Sequence, residues 1–271
     1  MKSRKGLLGL FSIFSVGTIL LLGACQSQKV KPDASQVSTT RTSDSFSTTT
    51  TTTEPSSTTQ TSEEKEVTQP VKNFEQGTLL AAAEQRNTDQ IKEILQDPDY
   101  VIDEVDGENN TPLNIAVHNN DVEMTKALID RGADINKQNN ISDSPYLYAG
   151  AQGRTEILAY MLAHAEPNLS VHNRFGGNAL IPAAEKGHIE NVKLLLADGR
   201  EDIDFQNNYG YTALIEAVGL REGTALYQEI VRVLMENGAN QHITDNSGRT
   251  AMDYAEQNGY TEIRTILSEY N

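Results

Sequence analysis

The side chain best suited to covalent chemistry in this sequence is Cys25, the only cysteine among 271 residues. A lone thiol closes no internal disulfide and builds no multi-cysteine zinc site. The five histidines, His118, His164, His172, His188 and His242, are scattered without a His-x-x-x-His spacing, so no metal site is expected. The acidic run Asp103-Glu104-Val105-Asp106-Gly107-Glu108 invites a calcium reading. It lacks the alternating ligands and distant glutamate of a calcium loop, and reads instead as a solvated loop. No Gly-x-Ser-x-Gly elbow, no cysteine with a histidine partner and no Gly-x-x-x-x-Gly-Lys phosphate loop occurs, so no catalytic residue and no cofactor are assigned.

Composition narrows the classes further. Only 37% of residues are hydrophobic and 6% aromatic, with no Trp, which implies that part of the chain is not packed. Residues 1–72 carry 8 basic and 6 acidic side chains, leaving 14 and 32 for residues 73–271, a net −18. A segment that acidic repels phosphate backbones, which excludes nucleic acid as the expected ligand and favours basic or neutral protein partners. No small-molecule substrate is expected.

Stepping outward from Cys25, Lys2, Arg4 and Lys5 precede an uncharged, largely apolar stretch from Gly6 to Ala24. A positive start, a short apolar run and small residues at its end make a signal peptide; the competing reading is an uncleaved anchor near the lower length limit for spanning a bilayer. The ending Leu22-Gly23-Ala24-Cys25 resembles the lipobox of bacterial lipoproteins. That resemblance implies cleavage after Ala24, lipid on Cys25 and a palmitate-bearing membrane anchor on the extracytoplasmic face. Two acyl chains are needed for stable anchoring, because one holds only marginally. From Ser38 to Ser62 there are 12 Thr and 7 Ser in 25 residues, a composition that cannot offset the entropy of ordering and is expected to remain a disordered linker. Glycosylation of that stretch stays open. The stalk points to a Gram-positive host.

The remainder is periodic. Thr111-Pro112-Leu113-Asn114-Ile115-Ala116 recurs as Ser144 to Ala149, Asn178 to Ala183, Thr212 to Ala217 and Thr250 to Ala255, with a degenerate copy from Thr78 to Ala83. The closing alanines, 83, 116, 149, 183, 217 and 255, are spaced 33, 33, 34, 34 and 38 apart. A second pattern, Gly187-His188-Ile189-Glu190-Asn191-Val192-Lys193-Leu194-Leu195-Leu196, has counterparts at 121–129, 154–162 and 260–267. Apolar residues there return every three or four positions, as in Val122, Thr125, Leu128 and Ile129, which gives a helix with one buried face. Glycines such as Gly132 and Gly238 then stop the helix.

These motifs resemble the ankyrin repeat. The resemblance implies an all-α solenoid of about six helix-turn-helix units with extended hairpin-like loops over residues 73–271, preceded by a 1–24 signal peptide and a 25–72 linker. Within each unit Thr or Ser can cap the first helix, Pro at its first position loses no hydrogen bond, and Ala lets paired helices approach. Pro182 should shorten one helix. The fifth unit carries about four extra residues around Arg221 to Leu226, expected between its helices.

The resemblance also implies a protein partner meeting the loop tips and first helices. Counting back three from each motif places Glu108, Ile141, Phe175, Tyr209 and Ser247 at equivalent tips, with Tyr211 and Arg174 beside them and His118, Gln152 and Lys186 along the first helices. Ile141, Phe175 and Tyr209 in a row, with Arg174 nearby, have the composition of a binding hot spot. Alternatively the tips pack on one another and only stabilise the stack. The expected function is a membrane-anchored, non-catalytic protein-binding module. The alternatives are an immunity-like protein neutralising a basic toxin, an enzyme with a site in the fifth-unit bulge, and a structural spacer.

Overall fold

A computed structural model describes residues 72–270; Cys25 and the expected signal peptide and linker lie outside the described residues, as does Asn271. Within that range the chain forms six helical hairpins and no strand. The first helices are α1 (Thr78–Glu84), α3 (Pro112–His118), α5 (Pro145–Ala151), α7 (Leu180–Glu185), α9 (Ala213–Gly219) and α11 (Ala251–Gln257). Their antiparallel partners are α2 (Thr88–Ile94), α4 (Val122–Asp130), α6 (Thr155–His164), α8 (Ile189–Asp198), α10 (Ala225–Glu236) and α12 (Thr261–Ser268).

Local chemistry sets where the first helices begin. The side chains of Thr111, Ser144, Thr212 and Thr250 each accept a hydrogen bond from the backbone N–H three residues on, at 3.1 to 3.2 Å. Pro112 and Pro145 occupy the first turn, where no donor is required. Asn178 does the same work for α7, its Oδ1 accepting from the Ile181 N–H at 3.2 Å. α7 is six residues long, the shortest of the twelve, as Pro182 within it dictates.

The first unit departs from the expected capping. Thr78 lies inside α1, and the cap position belongs to Gly77. Glu104, from the next loop, accepts from the N–H groups of Gly77 at 2.5 Å and Leu80 at 2.8 Å. The acidic run is therefore more than a solvated loop: Asp103 likewise accepts from the Asp134 N–H at 3.1 Å, and Asp106 from Glu108 and Asn110, each at 2.8 Å. Among the described residues no group of His, Cys, Asp and Glu could hold a metal ion.

The stack is closed by burial. All six motif alanines, Ala83, Ala116, Ala149, Ala183, Ala217 and Ala255, are buried, and each first helix packs on the first helix of the next unit. Met124, Leu128, Ile157, Leu158, Met161, Val192 and Leu195 fill the layer beneath, so that neighbouring hairpins share one continuous core. Asn191 inserts into it and donates through Nδ2 to the Ala149 and Gly150 carbonyls at 2.9 and 3.0 Å. Among the described residues no helix is long and apolar enough to cross a membrane.

The extra residues of the fifth unit divide between two places. Residues 220–224 form the loop, while Ala225 and Leu226 open α10, at twelve residues the longest helix. The loop is fastened on both sides. The Tyr260 hydroxyl donates to the Arg221 carbonyl at 2.6 Å, the Arg221 guanidinium pairs with Glu185, and the Tyr227 hydroxyl donates to the Glu185 carbonyl at 3.0 Å.

Candidate functional site

Each tip is held by one short polar side chain placed five residues before the helix cap. Asp106, Asn139, Asn173, Asn207 and Asp245 each accept, through Oδ1, from the N–H groups two and four residues later, at 2.7 to 3.1 Å. The same five residues donate their own N–H to the carbonyl four residues on, as in Asn207 to Tyr211 at 3.0 Å. The turn closes through a left-handed residue, Asn109, Ser142, Gly176, Gly210 and Gly248 in the five copies. Neighbouring tips are joined by backbone bonds from Asn208 to Phe175 at 2.9 Å and from Asn246 to Tyr209 at 3.1 Å.

Inside this framework the middle residue of three successive turns is only half packed. Ile141, Phe175 and Tyr209 are 49%, 51% and 55% exposed. Tip backbones brace one another, while these side chains keep about half their surface open to solvent. Arg174 lies across its own tip, its Nη2 3.4 Å from Asp143 and its guanidinium carbon 5.7 Å from the Phe175 ring centre.

Two cavities open among these residues. One, of about 380 Å³, is lined by Glu108, Asn110, His118, Asn139, Asn140 and Ile141. The His118 ring packs at a tilt against Tyr148, 3.9 Å between centres, with its Nε2 buried and unpartnered. Burial, with a smaller contribution from Arg154, pushes the imidazole below its ordinary pKa despite the opposing pull of Asp143, which leaves it neutral at pH 7.

The other, of about 320 Å³, is lined by Phe175, Ile181, Glu185, Asn207, Tyr209, Tyr211, Glu216 and Leu220. Tyr209 and Tyr211 face each other at 6.0 Å, and Tyr211 meets Tyr254 edge-on at 6.3 Å. The Tyr254 hydroxyl donates to Asp245 at 2.6 Å and lies 3.4 Å from that of Tyr211. Glu216 is only 5% exposed; its Oε1 accepts from Asn207 Nδ2 at 3.1 Å, and its Oε2 is buried without a partner. Burial, reinforced by Glu185, raises its pKa from the ordinary 4.5 to about 7, against the pull of Asn207 and Arg221.

Of the residues singled out in the sequence, Phe175, Tyr209 and Tyr211 thus come together in one cavity, and His118 and Ile141 in the other. Lys186 is exposed at the end of α7 and lines neither. Glu216, Glu185, Asn207 and Leu220 were not expected. A signal for Glu216 is present: the position before the motif alanine is Ala82, Ile115, Tyr148, Pro182 and Tyr254 in the other units, and charged only here.

A family model for ankyrin repeats in three copies matches residues 63–139, 79–172 and 146–245. The chain belongs to the ankyrin repeat family. It is 37% identical over 197 residues to an ankyrin repeat protein, YahD, of Escherichia coli (strain K12), covering 73% of this chain and 96% of that protein. Among solved structures it is similar to an ankyrin repeat protein, EF0377, at 77% identity and TM-score 0.73, over 73% of this chain and all of that one. An ankyrin repeat domain, ABAYE2397, from Acinetobacter baumannii AYE is 43% identical at TM-score 0.68, over 71% and 96% of the two chains. The ankyrin domain of Bcl-3, a member of the IkappaB protein family, is 25% identical at TM-score 0.63, over 70% and 85%. Ankyrin repeats are a general protein–protein interaction module, so the tips and their cavities are where a protein partner is sought.

Proposed function

We propose that this ankyrin protein is a lipid-tethered module on the outer face of a bacterial cell membrane that holds a protein partner and carries out no chemistry. The observation that carries the binding half is the row of exposed Ile141, Phe175 and Tyr209 on tips whose backbones are fixed from within. Large side chains displayed on a rigid frame lose little entropy on docking, which is the economy of an interaction hot spot. The tether rests on Leu22-Gly23-Ala24-Cys25 after an apolar run, and the preference for a basic partner on the net −18 of residues 73–271. That charge also favours a second reading, an immunity-like protein that sequesters a basic toxin at the membrane.

Two arms of one experiment test the proposal in the full chain. Bacteria fed radiolabelled palmitate should label the wild-type chain and not Cys25→Ala, which should leave the membrane fraction; label on both, or on neither, removes the tether. Cross-linking in the same cells should recover a stoichiometric protein partner, with Phe175→Ala and Tyr209→Ala each weakening capture at least about tenfold. Unchanged capture by both variants removes the tips from the interface. If the partner is a basic protein that kills cells lacking this chain, the immunity reading supersedes the general one.

A further inference from the structure

Between the tips that carry Phe175 and Tyr209 lies a carboxylate that the fold leaves short of partners. Glu216 occupies a position that is uncharged in every other unit, and desolvating a charge there is costly. The fold compensates it only in part, through Asn207 and the more distant pull of Arg221. By contrast Glu201, another partly buried carboxylate of the array, accepts from the Tyr146 hydroxyl at 2.7 Å and the Ala179 N–H at 3.4 Å. Glu216 has Asn207 alone, and one of its oxygens is orphaned. The cation in the neighbourhood, Arg221, is already paired with Glu185. A buried carboxylate one partner short, at the floor of an open cavity, is poised for a positive charge from outside.

The walls specify which cation. Phe175, Tyr209 and Tyr211 line the same cavity, and aromatic rings attract cations, as the Arg174 guanidinium 5.7 Å from the Phe175 ring centre already illustrates. A guanidinium is planar and weakly hydrated, stacks on aromatic rings and donates through a fixed fork to a carboxylate, whereas an ammonium is compact and strongly hydrated. Leu220 closes one side with apolar surface suited to a methylene stem. We propose that this cavity is an arginine pocket: it receives the guanidinium of an arginine side chain on the protein partner, with Glu216 as counter-ion and Phe175, Tyr209 and Tyr211 as the aromatic walls. The inference rests on the protein-binding reading and gives it a chemical specificity.

Proton linkage supplies a signature that a purely apolar hot spot would lack. Glu216 is influenced directly by Glu185 from α7, Arg221 from the loop after α9 and Asn207 from its own tip. Beyond these, Tyr227 of α10 bonds to Glu185, Tyr211 shares the cavity and leads through Tyr254 to the paired Asp245 and Arg249, and Arg174 lies against Phe175. With only Arg221 and Asn207 favouring its charged form, Glu216 is half-protonated near neutrality, and an incoming guanidinium must expel that proton. Binding should therefore tighten with rising pH by about five- to tenfold between pH 6 and pH 8.

The test titrates the full chain with acetylated, amidated Ala-Ala-Arg-Ala-Ala and with the same peptide carrying citrulline or lysine, followed by tyrosine emission, which no tryptophan masks. The arginine peptide should saturate, the neutral isostere citrulline should bind at least about tenfold more weakly, and lysine should fall between. Glu216→Gln should weaken the arginine peptide about tenfold and flatten its pH dependence. Tyr209→Ala, an exposed change that leaves the fold intact, should weaken it without flattening. Equal binding of citrulline and arginine, lysine binding more tightly than arginine, or a Glu216→Gln titration that matches wild type overturns the pocket. If the chain ignores every arginine peptide yet still captures its partner through Phe175 and Tyr209, the pocket falls alone and the binding module stands.

Discussion

Glu216 carries a charge in a layer built for aliphatic and aromatic side chains, and the stability of the whole chain should register it. Its folded pKa of about 7 stands above the ordinary 4.5, so the native state holds this proton more tightly than the unfolded chain does. The resulting stabilisation is fully present below about pH 4.5 and is lost as pH rises through about 7. Glu216→Gln keeps the acceptor for Asn207 and removes the charge. Relative to wild type, the variant should gain about 3 kcal/mol between pH 4 and pH 8, read from urea unfolding midpoints. A difference that stays flat with pH would mean that water reaches the carboxylate freely. His118 has the opposite sign: its lowered pKa means that the unfolded chain takes the proton more readily, so its contribution to stability is lost as pH falls below about 6.5.

At the scale of the element, the tip turn separates the residues that hold the fold from those that face outward. Asn207→Ala strips the acceptor from the N–H groups of Tyr209 and Tyr211 and should cost about 2 kcal/mol, whereas Tyr209→Ala, two residues on in the same turn, loses only a half-exposed ring against Tyr211 and should cost about 1 kcal/mol or less. Equal costs in urea melts would show that the middle residue packs after all. Which parts were legible in the sequence follows the same division. Thr111, Ser144 and Thr250 act on backbone groups three residues away, and the motif alanines repeat at fixed intervals, so local spacing revealed both. The Asn or Asp five residues before each cap was equally local, yet its two residue types hid the repetition. Glu104 capping α1 was invisible because its partners lie 24 to 27 positions back, and the cavity over Glu216 needed the loop at Arg221 folded against Glu185, 36 residues away. Long-range geometry, rather than composition, carried what spacing could not.

At the scale of the molecule, the described hairpins form a row stabilised by nearest neighbours, and among the described residues the first and last hairpins each pack on one other hairpin. The outer face of α12 is polar, with Glu262, Arg264, Thr265, Ser268 and Glu269 exposed, so the last unit contributes little burial beyond its inner side. Amide hydrogen exchange should accordingly be slowest in α5 to α10 and faster in α1, α2 and α12; uniform protection along the chain would instead indicate a single cooperative block. The tip turns have a further consequence over longer times. Because each is tied by an acidic or amide side chain beneath it, its middle letter can be rewritten without disturbing the scaffold. A lineage could thus exchange Phe175 or Tyr209 for another residue in one mutational step, drifting toward new targets while its capacity to fold remained untaxed.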